Sequence, residues 1–344
     1  MDVREALMAV TAGRTLTRAE AQGAMATVMG GEATPAQLGG LLAALRVRGE
    51  TSEEIAGFAL GMREASVKVP DSADAIDIVG TGGSRTDPFN ISTVAAIVAA
   101  AAGVRVAKHG NRAATGKCGS ADVLEALGVR IDLGPDESAR CLREVGLAFL
   151  FAPRFHPSMR HAGPVRRELG IRTVFNILGP LANPASVTRI VLGVATPGLA
   201  ETIARVLSEL GTTHALVVHG DDGLDEISPT GPTRTWELRD GAIREGVIEP
   251  EALGLERVRL EDIQSGDAQA NAATARAVLA GHAGPARTAV LINAAAGCVV
   301  AGRARDLQEG VGMAALAIDG GAAAALLERW AATTQRLGAA AATA

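Results

Sequence analysis

Residues 75–103 read AIDIVGTGGSRTDPFNISTVAAIVAAAAG, and this stretch decides the fold. Its first five residues form a short apolar run of the kind that a parallel sheet buries on both faces. GTGG at 80–83 then opens a loop that runs through Asn90, and ISTVAAIVAAAAG at 91–103 continues as an Ala-rich helix. Glycines let the backbone approach an anion, while Ser92 and Thr93 add hydroxyls where the free N–H groups of a helix N-terminus point outward. Strand, glycine loop and helix start together outline a phosphate site. The spacing matches neither a Walker A loop nor a GxGxxG fingerprint.

The same alternation of short apolar runs and Ala-rich stretches continues to the end of the chain and predicts an α/β fold with a mainly parallel sheet flanked by helices. Strands are predicted at 75–79, 104–107, 147–152, 189–194, 214–219 and 287–292. An antiparallel hairpin is predicted over 235–247, turning at Asp240-Gly241. Upstream, the first 65 residues read as helices only. Thr17 with Glu20, Thr34 with Gln37 and Thr51 with Glu54 have the spacing of capping boxes, and Pro35 stands at a first helical position. The stripes Leu38, Leu41, Leu42, Leu45 and Ile55, Phe58, Ala59, Met62 have helical spacing. A unit this small cannot bury every such stripe alone, so it should dock on the rest of the chain or on a second copy. The expected organisation is a small N-terminal helical domain at 1–70, joined by helices from about 155–172. A larger α/β domain follows at 71–338, then a frayed tail at 339–344.

Composition narrows the partners. The 344 residues are 48% hydrophobic and 21% charged, which is globular usage. Aromatics are 2% with no Tyr, so stacking platforms for bases have little to work with. The net charge of −5 and the lack of a polybasic run speak against nucleic acid and anionic membrane. The longest apolar run, 94–102, is far short of a membrane span, and MDVREALMAV lacks a signal-peptide layout, so a cytoplasmic protein is expected. Cys118, Cys141 and Cys298 have no metal or disulfide spacing, and Cys141 and Cys298 read as packing residues.

In parallel sheets ligands bind beyond the carboxyl ends of strands. After the second strand, KHGNRAATGKCGS at 108–120 sets Lys108, His109, Asn111, Arg112 and Lys117 among glycines, which implies an anion. After the strand at 214–219, GDDGLDEISP crowds Asp221, Asp222, Asp225 and Glu226 into one turn, and adjacent acids beside a phosphate suit Mg²⁺. VRRELGIRTVFNILGPLANP at 165–184 places Arg166, Arg167 and Arg172 ahead of a Gly-Pro loop, and one of these guanidinium forks suits a carboxylate. No nucleophilic triad is visible.

GTGG with FNIST at 89–93, KHGNR at 108–112, GSADVLEALGV at 119–129 and RTVFNILGPLANP at 172–184 closely resemble the motifs of the anthranilate phosphoribosyltransferases of tryptophan biosynthesis. The resemblance runs from the helical N-terminus to about residue 330. It implies the nucleoside-phosphorylase-like fold and a homodimer made through the helical part. It also implies transfer of the phosphoribosyl group of 5-phosphoribosyl 1-pyrophosphate (PRPP) to anthranilate, with release of pyrophosphate. On the same ground Gly80, Gly83, Ser84, Asn90, Ile91, Ser92 and Thr93 would form the donor groove. Lys108, His109, Gly110, Asn111, Arg112, Ala113, Ala114, Thr115, Gly116 and Ser120 would close over it. Mg²⁺, two ions per subunit, would sit on Ser92, Asp225 and Glu226, and anthranilate on Gly80, Asn111 and Arg166. No single general base is expected, because metal and backbone donors carry the leaving pyrophosphate and the neutral amine is already a nucleophile. Three positions depart from the family pattern: Ser84 stands where Asp is usual, Pro88 where a hydroxyl is usual, and Cys118 where Ser is common. Asp87 is a candidate for the lost acid. A pyrimidine nucleoside phosphorylase would share the fold but not KHGNR or Arg166, and a nucleic-acid-binding paralogue would need a basic groove. A related enzyme using another aromatic amine or carboxylate as acceptor would keep the same donor motifs.

Overall fold

The computed structural model describes residues 1–72, 74–84, 86–113 and 117–342. Four helices come first: α1 (Val3–Thr11), α2 (Arg18–Gly30), α3 (Pro35–Arg48) and α4 (Ser52–Glu64). All three predicted capping boxes form, with Thr17, Thr34 and Thr51 accepting from the backbone of Glu20, Gln37 and Glu54. Asp2 and Glu5 add a fourth. Glu54 exceeds its capping role: its fully buried carboxylate also accepts from the Leu16 N–H at 2.8 Å and pairs with Arg48 at 2.5 Å, tying the start of α2 and the end of α3 to α4.

The sheet has seven strands in the order β3-β2-β1-β4-β5-β6-β7. They are β1 (Ile76–Gly80), β2 (Val106–Gly110), β3 (Leu147–Phe151), β4 (Arg189–Gly193), β5 (His214–Gly220), β6 (Thr233–Arg239) and β7 (Ala242–Ile248). The first five are parallel. β6 and β7 form the predicted antiparallel hairpin, whose turn residues Asp240 and Gly241 have φ of 51° and 75°, as a type I′ turn requires. The chain moves outward from β1 to β3 and returns on the other side of β1 at β4. The order therefore reverses between β1 and β4, and that switch point is where such sheets leave a crevice.

The run at 287–292, expected as a strand, lies inside helix α13 (Pro285–Val300). Period alone cannot separate a buried strand from a fully buried helix, and here Pro285 at the first turn and the Ala-rich continuation favour the helix. β2 also starts later than expected, so Lys108 and His109 lie within the strand and point to opposite faces. The terminal helix α15 (Ala322–Ala342) carries the expected tail in helical form as far as residue 342. Among the described residues no single helix is long and apolar enough to cross a membrane.

Two cores sandwich the sheet. One face is covered by α5 (Ile91–Ala101), α7 (Pro135–Val145), α13 and α15, among others. The other face carries Ile190, Leu192, Ala215 and Val217, which share a core with α1–α4, α9 (Met159–Leu169), α10 (Phe175–Leu181) and α11 (Pro197–Glu209). The stripes of α3 and α4 therefore end against partners within this chain, with α9 packed on α2 and α3, and α10 and α11 on α4.

Candidate active site

At the switch point Gly80 of β1 and Gly193 of β4 are register partners. A Cβ on Gly80 would come 2.4 Å from Asp225 Oδ2, and one on Gly193 would come 1.7 Å from the Asp225 carbonyl oxygen. The two missing side chains make the groove in which Asp225 lies. The glycine loop folds over it: the Gly82 N–H donates to Asp225 Oδ2 at 2.7 Å, and the Ser84 hydroxyl meets the same carboxylate. A Cβ on Gly83, at φ +82°, would meet the Arg172 guanidinium, which donates to the Gly82 carbonyl at 3.2 Å. Asp87 is held by its carbonyl, which accepts from the Ser265 N–H at 2.9 Å, and Pro88 bridges to Gln264.

The start of α5 faces this groove. The Asn90 side chain does not cap the helix but binds Asn271 and the Cys118 carbonyl. The cap comes from elsewhere: Glu226 accepts from both the backbone and the hydroxyl of Ser92. Lys108, 2% exposed, reaches the same point from β2 and donates to the Ile78 carbonyl at 2.7 Å and to Ser92 Oγ at 3.2 Å. Burial, then the neighbouring Asp225, pushes the Glu226 carboxyl above the usual carboxylate range, and burial also raises Asp225. Two crowded carboxylates beside a hydroxyl and a helix N-terminus are a donor set that a divalent cation would relieve. Ile91 is fully buried, and the buried Thr93 Oγ1 has no hydrogen-bond partner among the described residues.

Other predicted residues are placed differently. His109 points to the far face of the sheet, with Nδ1 3.1 Å from the Gly179 carbonyl. The Arg112 guanidinium is committed to Asp122 and Glu125, at 2.7 and 2.6 Å, and lies over Phe151. Gly110 is crowded by Ser120 and Phe149, while Asn111 stays exposed, its carbonyl accepting from Ser120 Oγ. The Ala113 N–H faces Asp122, which also accepts from Gly119 and so organises this loop. Ala114, Thr115 and Gly116 lie outside the described residues. Arg166, on α9, is half-buried over the Phe175 ring at 5.2 Å.

The four acids of the 221–226 turn divide in two. Asp222 is structural, accepting from Ser228 and Thr230 hydroxyls at 2.6 Å, and Asp221 pairs with Arg234. Asp225 and Glu226 face the groove. Their position depends on two residues that pattern reading missed. Asn293 of α13 grips Ile227 through both backbone groups, at 3.0 and 2.9 Å, and Asn271 of α12 (Ala268–Leu279) holds Asn90. An Asn inside an Ala-rich apolar run is the signal available for both.

Residues 4–66 match the helical bundle domain of a glycosyl transferase family, and residues 72–324 match its a/b domain. The anthranilate phosphoribosyltransferase of Chloroflexus aggregans is 54% identical over 331 residues, which cover 96% of this chain and 97% of that protein. The crystal structure of the Thermus thermophilus anthranilate phosphoribosyltransferase is 46% identical and superposes with a TM-score of 0.91 over 97% of this chain and all of that one. The Saccharomyces cerevisiae enzyme, solved in complex with PRPP and Mg, is 29% identical with a TM-score of 0.88 over 97% and 98% of the two chains. The same yeast enzyme is also known in complex with 4-fluoroanthranilate. Identity at this level over nearly the whole of both chains, with both family domains in order, makes the chain a member of the anthranilate phosphoribosyltransferases.

Proposed function

We propose that the chain transfers the phosphoribosyl group of PRPP to the amine of anthranilate and releases pyrophosphate. The observation that carries this reading is the meeting, at one switch point, of the Gly80–Gly193 groove, the N-terminus of α5 and the Asp225–Glu226 pair. Leaving pyrophosphate gathers negative charge, and the glycine loop and the N-terminus of α5, the positive end of its dipole, border the groove where that charge would develop. Ser92, Asp225 and Glu226 would hold Mg²⁺, which when bound polarises the leaving group. The family resemblance implies two ions per subunit. Two carboxylates and one hydroxyl leave most remaining ligand positions to phosphate and water, as Mg²⁺ commonly requires. Gly80, Asn111 and Arg166 are assigned to anthranilate, with the Arg166 guanidinium reading its carboxylate.

The helical unit (1–70 with 155–172) would bring Arg166 to the donor held on the α/β unit. Two copies would pair through the helical unit, where Met8 of α1 is 63% exposed and Val47 of α3 is 89% exposed. A size measurement giving a monomer would remove the dimer from this reading. Free, deeply buried Cys141 and Cys298 suit a reducing cytoplasm. The reaction itself is tested by mixing anthranilate, PRPP and Mg²⁺ and following pyrophosphate release: release that depends on anthranilate supports it, and hydrolysis of PRPP indifferent to anthranilate would refute it.

A further inference from the structure

Three segments join the helical unit to the sheet: 65–75 after α4, 152–158 after β3 and 182–188 before β4. They are bound to one another. The Val67 N–H donates to the Phe155 carbonyl at 2.9 Å, the Val69 N–H to the Pro184 carbonyl at 3.3 Å, and Ser72 Oγ to the Ala185 carbonyl at 3.0 Å. Arg63 of α4 adds a bond from Nε to the Leu181 carbonyl at 2.6 Å. One side chain fastens this knot to the strands that carry the site. Asn183, 2% exposed, donates from Nδ2 to Asp77 Oδ2 at 2.7 Å and to the Ala107 carbonyl at 2.8 Å, and its Oδ1 accepts from the Ala185 N–H at 2.8 Å.

Asp77 itself is fully buried in β1, three residues before Gly80, and also accepts from the His109 N–H at 3.3 Å. A carboxylate there is costly, and a strand that needed only packing would carry another Ile or Val, as at Ile76 and Ile78. The bonds it makes all bind one joining segment and β2 to β1, the strand whose end supports the glycine loop.

We propose that Asp77, acting through Asn183, is a positioning residue for the transfer step: it sets the joining segments on the sheet and thereby the separation between Arg166 and the donor groove. The inference rests on the reading that the acceptor is held from the helical side and the donor from the α/β side. Among the described residues neither the glycine loop nor α5 bonds to Asp77, which meets the donor groove through the nearby charge of Lys108, whereas the meeting of amine and anomeric carbon is sensitive to displacements of an ångström.

The test is Asp77→Asn in the full-length protein, with Ser72→Ala as a milder variant that cuts one bond between joining segments. Each is measured for PRPP binding by calorimetry, for kcat and for KM of anthranilate, alongside a thermal melt. The expected result for Asp77→Asn is a Kd for PRPP within threefold of the parent and a kcat at least tenfold lower, with Ser72→Ala shifting kcat in the same direction by less. An unchanged kcat in folded Asp77→Asn, or an equal loss of donor affinity, would overturn the inference. If Asp77→Asn does not fold, an unchanged kcat in Ser72→Ala overturns it instead. If the parent protein shows no transfer at all, the functional reading fails instead.

Discussion

Arg166 carries a half-buried guanidinium over Phe175, and among the described residues no carboxylate pairs with it. Burial lowers its pKa, and with no acid beside it among the described residues the charge suits a ligand carboxylate. Arg166→Ala is expected to raise KM for anthranilate roughly 10- to 100-fold, the worth of a charged hydrogen bond, and to leave PRPP binding unchanged. Steady-state kinetics in both substrates checks this, and a matching loss of PRPP affinity would contradict it. His156 gives a pH prediction. Burial depresses its ring to about 4 and that of His109 to about 3, with the neighbouring His156 as a second cause for His109. Because these native values lie below the unfolded value, the stability that the neutral rings allow is complete above about pH 6.5 and is lost as pH falls towards 4, at about 2 kcal/mol per ring by pH 5. Asp77, raised to about 6 by burial, acts in the opposite sense, since its penalty eases as pH falls. His156→Asn should therefore flatten the pH dependence of urea stability between pH 6 and 4.5 by about 1 kcal/mol per pH unit, and an unaltered slope would refute the assignment.

The capping boxes were fully legible, because a Thr with Glu or Gln three positions on is a local device that needs no tertiary knowledge. Their energetic rank was not legible. Gln37 caps an exposed turn, and its loss should cost about 1 kcal/mol. Glu54, itself at zero exposure, also neutralises Arg48 and accepts from the Leu16 N–H, so Glu54→Ala should cost about 3–5 kcal/mol in the chemical denaturation of the same protein. Similar costs for the two would show that the buried pair adds nothing. The misread strand at 287–292 has a similar lesson: from Ala289 to Cys298 α13 is buried on all sides, so no period survives to mark it. Its Asn293 is the support of the acidic turn. Asn293→Ala is expected to weaken the binding of Mn²⁺, used as a spectroscopic stand-in for Mg²⁺, at least fivefold. Unchanged Mn²⁺ affinity would mean that the turn holds its own shape.

At the scale of the molecule, the parallel sheet, the hairpin and the helical N-terminus were visible as periodic patterns. The switch point was not, because strand order is a tertiary fact. Lys108 and Glu226 were therefore readable as residue types but not as neighbours meeting on Ser92. Likewise, nothing local separated Arg112, which pairs with Glu125, from Arg166, which pairs with no acid among the described residues. The proposed function sets Arg166 of the helical unit against the donor groove on the sheet, and it stands or falls on the reaction of the two substrates. The most direct measurement is the fluorescence of anthranilate in the presence of the protein, with PRPP and Mg²⁺ added singly and together. The account predicts loss of the signal only when both are present; a signal that persists with enzyme, PRPP and Mg²⁺ all present would contradict it.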